Sequence, residues 1–206
     1  MNAPLIVFGT RNRKKGLELA EVFVPLGVEC RVLADYPSAI EVEESGTTFA
    51  DNARLKAEQQ SRHLGLWVLG EDSGLEVTAI GGAPGVFSAR YSGPNATDAS
   101  NNALLLEKLH GLPLEKRGAR YVCHMALSDP QGNIRAESEG DCRGRILAQQ
   151  RGVNGFGYDP MFEIIEYHRT FGELSPAVKR CLSHRARAAR MLIPQIRGLL
   201  QSGALR

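Results

Sequence analysis

The sequence is short of the features that announce a function on their own. Cysteine is scarce: four in 206 residues, at positions 30, 123, 142 and 181, with no CxxC pair. A zinc site needs closely spaced ligands, and a chain this long and this poor in cysteine is no disulfide scaffold. Cys30, Cys123, Cys142 and Cys181 are therefore expected to be reduced thiols, buried in a cytoplasmic protein. Long apolar runs are missing too. None approaches the ~18 residues that a membrane span requires, and Leu5-Ile6-Val7-Phe8 meets Gly9 at once, so neither a membrane partner nor a signal peptide is expected. Charge of one sign is not in excess. A net charge of +2 is too small for a basic nucleic-acid surface, so any anion site must be a local cluster of Lys and Arg. His63, His110, His124 and His168 form no pair at metal-ligand spacing. There is no internal repeat and no low-complexity linker. What remains, 43% hydrophobic and 23% charged, is ordinary globular composition. It fits one domain covering residues 1–206.

The pattern along the chain alternates strand and helix before it becomes antiparallel. Leu5 to Phe8 reads as a strand covered on both faces. After a polar loop, Leu19, Val22, Phe23 and Leu26 recur at helical spacing, ended by Pro25 and Gly27. A strand is expected from Cys30 to Leu33. Thr48 with Asp51 resembles a capping box that opens a helix with Phe49, Ala53 and Ala57 on one stripe, running to about Leu64. Trp67 to Leu69 reads as a buried strand ending at Gly70. The stretch Gly81 to Gly93 is too rich in Gly and Pro for helix. A helix over 98–110 closes at Gly111. Arg120–Leu127 and Ile134–Gly140 read as antiparallel strands across Asp129-Pro130-Gln131-Gly132. A loop from Gly152 to Pro160 and a helical tail from Pro176, interrupted at Pro194, complete the chain. The whole predicts an α/β fold with a mixed sheet.

Two apolar strands lead into glycine followed by polar residues, and such strand ends are where open α/β sheets bind ligands. The first offers Thr10-Arg11-Asn12-Arg13-Lys14-Lys15 at a helix N-terminus, where free amides and the helix dipole attract anions. It is not a Walker A loop, which requires GxxxxGK[ST], and a solvated basic turn accounts for it equally well. The second offers Glu71 and Asp72. Adjacent carboxylates on extended chain point opposite ways, so one of the pair is expected to join Glu44 in an oxygen-rich magnesium site. Ordinary surface acidity is the plainer alternative. Asn52 and Lys56, four residues apart, share a helix face, although a lysine beside an apolar stripe commonly only snorkels. Phe156-Gly157-Tyr158-Asp159 sets two aromatics in a glycine-rich loop that can stack on a base or simply pack. Lys179 and Ser183-His184-Arg185 bring cations together, with Ser183 placed to cap a helix from His184.

Taken in order, these segments resemble the non-standard purine nucleoside triphosphate pyrophosphatases, the inosine triphosphatases. The matching residues are Thr10, Asn12 and Lys15; Glu44-Ser45-Gly46, Thr48-Phe49, Asn52-Ala53 and Lys56-Ala57; and Asp72-Ser73-Gly74-Leu75. Gly81-Gly82-Ala83-Pro84-Gly85 with Ser88-Ala89-Arg90-Tyr91 follow, then Gly155 to Pro160, Lys179 and Ser183-His184-Arg185. The similarity runs from residue 5 to about 190. Two departures stand side by side: Glu71 where many bacterial members have Asp, and Gly70 where they have Ala.

The resemblance implies an elongated, twisted mixed sheet flanked by helices, with two lobes and the active cleft between them, in a cytoplasmic homodimer. It implies hydrolysis of ITP, dITP and XTP to the monophosphate and pyrophosphate, with one or more Mg²⁺ per subunit. Asp72 is implied as catalytic base, metal ligand or both, with Glu44 as the other ligand. Thr10, Arg11, Asn12, Arg13, Lys14, Lys15, Lys56, Ser73, Phe156, Gly157, Tyr158, Asp159, Lys179, His184 and Arg185 are implied on the substrate, His184 or Arg185 reading the base. The role of Glu71 stays open. Two other classes fit parts of the pattern: a septum-inhibitor-like pyrophosphatase acting on pyrimidine or modified nucleotides, and a non-catalytic nucleotide sensor or RNA-binding module.

Overall fold

A computed structural model describes residues 3–206; the side chain of Lys14, one of the residues implied on the substrate, lies outside the described residues. The chain forms an α/β fold on a mixed sheet of seven strands. In chain order these are β1 (Leu5–Phe8), β2 (Glu29–Val32), β3 (Val68–Val77), β4 (Gly118–Ser128), β5 (Ile134–Ile146), β6 (Phe162–Ile164) and β7 (Arg169–Thr170). Their order across the sheet is β2-β1-β3-β4-β5-β6-β7. β1 pairs parallel with β2 and β3, whereas β6 pairs antiparallel with β5 and β7. The helices are α1 (Arg13–Phe23), α2 (Phe49–Leu64), α3 (Asp98–Lys108), α4 (Pro176–Leu182) and α5 (His184–Gln201). Among the described residues, no helix is long and apolar enough to cross a membrane.

By its internal contacts the chain divides into two compact units. One holds the residues up to Asp72 with Cys123–Gly140 and Arg185–Arg206, and the other holds Ser73–Val122 with Asp141–His184. The first unit packs Ile6, Phe8, Leu69, Met125 and Leu127 of the sheet against Leu19 and Phe23 of α1 and Ala188, Leu192 and Ile196 of α5. Helix α2 begins with the capping box expected of it: the Asp51 amide donates to Thr48 Oγ1 and the Thr48 amide to Asp51 Oδ2, both at 3.1 Å. It ends at Gly65, whose φ of 66° costs glycine little. Ala53 and Ala57 set α2 down on the sheet with Ala126 beneath. At Gly70 the approach is closer still, because a Cβ there would overlap the carbonyl oxygen of Ala53 and the amide of Ala57. The second unit has its own core. Leu75, Leu105, Tyr121, Phe162 and Phe171 are central to it, with Phe162 and Phe171 stacked at 5.4 Å.

Beyond shifts of one or two residues at element ends, four places differ from the sequence reading. β3 does not end at Gly70 but continues through Glu71 and Asp72 to Val77. Charged residues interrupt a buried strand only when they lack partners, and both carboxylates are paired, as described below. β5 runs past Gly140 to Ile146, its inward alternation carried on by Cys142, Gly144 and Ile146. Within Gly81–Gly93, Gly85–Arg90 winds as 3₁₀ helix, held by the Asn101 amide, which donates to the Ser88 and Ala89 carbonyls. Helix α5 is not broken at Pro194. The lost hydrogen bond is offset by a stripe of Ala188, Ala189, Leu192 and Ile196, fully buried on both sides of the proline.

Candidate active site

In the first unit, strand β3 delivers two carboxylates side by side, and each finds its own cations. Asp72 Oδ1 accepts from Lys56 Nζ at 2.8 Å and Asp72 Oδ2 from Asn52 Nδ2 at 3.3 Å. Asn52 and Lys56 are one helical turn apart on α2, so a single face of the helix serves both oxygens. The Asn52 side chain is wholly buried, and its Oδ1 accepts the Gly46 amide at 2.8 Å. That bond holds the loop carrying Glu44, whose Oε1 lies 2.8 Å from Lys56 Nζ. The Lys56 ammonium also donates to the Glu71 carbonyl at 3.2 Å. Burial pushes the Asp72 carboxyl above its ordinary value, with Lys56 opposing. Burial alone would lower the Lys56 ammonium, but Asp72 and Glu44 outweigh it and the net direction is up.

Glu71 points elsewhere. Its side chain is 2% exposed and takes Lys15 Nζ on Oε2 at 3.1 Å. On Oε1 it takes Arg185 Nε and Nη2 at 3.3 and 3.2 Å. The Cys123 thiol lies 3.5 Å from the same oxygen, and burial, reinforced by Glu71, pushes that thiol well up. Arg185 completes its contacts with Nη1 on Glu18 Oε2 at 2.6 Å. Burial would lower this guanidinium, but Glu71 beside it carries the net shift upward. Glu71 is thus a clamp joining α1 to α5 through Lys15 and Arg185. The guanidinium implied as a reader of the base is paired with two protein carboxylates.

The loop ahead of α1 is ordered by its own groups. Asn12 accepts the Lys15 amide at 3.3 Å, and Thr10 Oγ1 accepts the Asn12 amide at 3.1 Å. Arg11 donates to the Ala39 carbonyl at 2.7 Å and Arg13 pairs with Asp35 at 3.0 Å on the surface. From this loop, the Lys15 side chain reaches the carboxylate cluster through Glu71.

In the second unit, the aromatic loop is equally built. Lys179 Nζ, nearly buried, bonds Asp159 Oδ2 at 2.8 Å and lies 4.8 Å from the Phe156 ring centre and 5.7 Å from that of Phe171. Asp159 Oδ2 also accepts the Phe156 amide at 2.9 Å. Helix α3 holds the loop from outside: Asp98 accepts the Gly157 amide at 2.7 Å and Asn102 donates to the Gly157 carbonyl at 3.1 Å. Tyr158 is turned inward, its hydroxyl on the Ser88 carbonyl at 2.8 Å. His184 stacks on Tyr121 at 4.7 Å, with the rings 8° from parallel. Ser73, the first residue of this unit, is half-buried.

The sequence reading did not single out Glu18, Asp98 or Asn102, and named Asn52 only beside Lys56. A signal existed in each case. Glu18 follows Lys15 by one helical turn, and Asp98 and Asn102 stand one turn apart at the start of α3.

The donor set can be tested against a divalent ion. Among the described residues, no group of three or more His, Cys, Asp or Glu side chains is placed to hold a metal. Glu44 and Asp72, however, already converge on one cation, the Lys56 ammonium. Two hard carboxylates of this kind suit magnesium, which commonly takes one or two carboxylates together with water and substrate phosphate.

The parallel start of the sheet and the carboxylates on β3 with lysines from two helices define an α/β protein with a charge-lined polar site. Comparison with known proteins narrows this. The Ham1 family matches residues 6–195, and the chain belongs to it. It is 51% identical over 199 residues to the dITP/XTP pyrophosphatase of Rhodopirellula baltica, covering 97% of this chain and 96% of that one. To the dITP/XTP pyrophosphatase of Geobacillus kaustophilus it is 48% identical, with 92% and 93% covered. Among solved structures, a HAM1 protein from Coxiella burnetii aligns with a TM-score of 0.85 at 36% identity, covering 97% of this chain and 99% of that one. The nucleoside-triphosphatase / dITP/XTP pyrophosphatase of Mycobacterium abscessus aligns at 0.75 and 44%, with 93% and 99% covered.

Proposed function

We propose that the chain hydrolyses non-standard purine nucleoside triphosphates (dITP, ITP and XTP) to the monophosphate and pyrophosphate. The observation that carries this reading is the Asp72–Lys56–Glu44 arrangement, in a chain that matches dITP/XTP pyrophosphatases over nearly its whole length. The substrate brings roughly four negative charges, and phosphoryl transfer rests largely on positioning and on neutralising such charge. Lys15 and Lys56 supply cations from the first unit. In the second, Phe156 offers a half-buried ring for the base, with Lys179 and Asp159 fixing the loop that presents it. Water attacks the α-phosphorus, the bond to the oxygen bridging the α- and β-phosphates breaks, and pyrophosphate departs with that oxygen. Asp72 takes the proton from the water. A carboxyl raised by burial is the better base of its kind, while Asn52 keeps its carboxylate oriented.

Glu44 and Asp72 would hold magnesium, which on binding supplies charge neutralisation for the leaving group. Arg185, enclosed by Glu71 and Glu18, acts as a positioning residue for Glu71 and thereby for Lys15. The family resemblance further supports a homodimer and a cytoplasmic location as parts of the same proposal.

The test is pyrophosphate release from a panel of ITP, dITP, XTP, ATP, GTP and pyrimidine triphosphates, with magnesium and with chelator. Hydrolysis concentrated on the deaminated purines and abolished by chelator is the expected result. Preference for pyrimidine nucleotides, or full activity in chelator, would overturn the reading.

A further inference from the structure

The Lys56 ammonium sits where a metal would. Its nitrogen lies 2.8 Å from Glu44 Oε1, 2.8 Å from Asp72 Oδ1 and 3.2 Å from the Glu71 carbonyl oxygen, so each ammonium hydrogen has an oxygen. The side chain is 14% exposed, that of Asp72 10% and that of Glu44 30%, so water screens the Lys56–Asp72 pair little and Glu44 more. A divalent ion held between Glu44 and Asp72 would take the position of the ammonium, and repulsion opposes two cations in that one place. Resting on the function proposed above, we infer that Lys56 is the placeholder of the metal site. Its ammonium neutralises Glu44 and Asp72 until a divalent ion displaces it, and it then becomes available to the substrate's phosphates.

Two consequences follow from the physical chemistry. Asp72, the buried one of the two carboxylates, is never left facing Glu44 without a counter-cation, a state that would be costly. Metal and triphosphate binding are also coupled through one side chain, each favouring the other by the same factor. Asn52 makes the exchange selective. It donates to Asp72 Oδ2 and accepts the Gly46 amide, so Asp72 and the loop carrying Glu44 are held by bonds separate from those of Lys56.

The experiment uses Mn²⁺ alone as the probe, titrated without nucleotide into the wild type, Glu44→Gln and Lys56→Met, with free Mn²⁺ read by electron paramagnetic resonance. A site blocked most of the time by its placeholder shows an affinity reduced by the fraction that is open, so Lys56→Met should bind Mn²⁺ about tenfold or more tightly than wild type. Glu44→Gln should bind much more weakly. Equal binding by wild type and Glu44→Gln would show that the metal assignment itself is wrong. Loss in Glu44→Gln with no gain in Lys56→Met would sink the placeholder alone. A second readout needs no variant. Amine labelling of the wild type, mapped by mass spectrometry with and without Mg²⁺, should show Lys56 reacting several-fold faster once metal binds. The exposed Lys108 and Lys116 should react unchanged. Lys56 labelling that is unaltered or slowed by metal overturns the exchange, because a change in field at a distance would not release the ammonium from its oxygens.

Discussion

The two units solve the problem of placing polar groups in opposite ways. In the first, charged side chains are fixed by one another across long stretches of sequence. Lys15 and Glu71 are 56 residues apart and Arg185 and Glu71 are 114 apart, and rigid strand and helix backbone hold each of them. In the second, a loop is fixed mainly through its backbone: the amides of Phe156 and Gly157 and the Gly157 carbonyl are taken up by Asp159, Asp98 and Asn102. The contrast teaches what each arrangement is suited to. Paired charges on rigid elements suit work on the reacting phosphates, where an ångström matters. A ring on a well-anchored loop suits a flat base, which stacking tolerates in many forms.

That contrast predicts a split in kinetics. Asp72→Asn keeps the shape but removes both the base and one charge of the proposed metal site. Turnover should fall by about 10²–10⁴-fold, the usual worth of general acid–base catalysis, while nucleotide binding survives. A variant retaining more than about a tenth of the wild-type rate, a loss under ~1.4 kcal/mol, would remove Asp72 from the chemistry. Phe156→Ala should act on binding instead. KM for every purine triphosphate should rise by a similar factor, corresponding to ~1–3 kcal/mol, with kcat little changed and the ratio of ITP to ATP preserved. If that ratio shifted with the ring removed, Phe156 would be reading the base and not merely supporting it.

How far the sequence carries these conclusions depends on whether the partners are near in the chain. The capping box of α2 and the shared face of Asn52 and Lys56 are legible because helical spacing fixes them locally. The passage of β3 through Glu71 and Asp72 is not. Whether two carboxylates can lie buried in a strand depends on Lys15, Lys56 and Arg185, and periodicity says nothing of where those side chains end up. Arg185 shows the same limit. Its position at the start of a helix suggests an anion from solution, and the fold supplies two carboxylates of its own. Pro194 misleads for a related reason: the local rule that proline ends a helix is overridden by a packed stripe that only the folded chain reveals.

The smallest effect belongs to a residue with no part in either cluster and serves as the control. Asp129 accepts the amides of Gln131 and Asn133 in the turn between β4 and β5, and pairs with Arg135. Burial would raise its carboxyl, but the Asn133 and Arg135 contacts win and its net shift is downward. A carboxyl lowered on folding contributes stability above its ordinary value, and loses it as the pH falls through the lower, folded one. Thermal unfolding of Asp129→Asn should therefore trail wild type at neutral pH, with a gap that closes as the pH drops below about 4. Catalytic constants of the folded enzyme should be untouched. A change in KM or kcat would mean that the turn reaches one of the two clusters.

Gly70 gives the site a dimension through an atom that is not there. Helix α2 rests with Ala53 and Ala57 directly over that residue, so the height of the helix above the sheet is set by hydrogen where any other amino acid would put carbon. Lys56 and Asn52 ride on the same helix, and their reach to Asp72 is measured from that seat. A single methyl group at position 70 would act as a shim, lifting both side chains away from Asp72 without altering either of them. The tuning of this charged cluster thus lies partly in a residue that has no side chain at all.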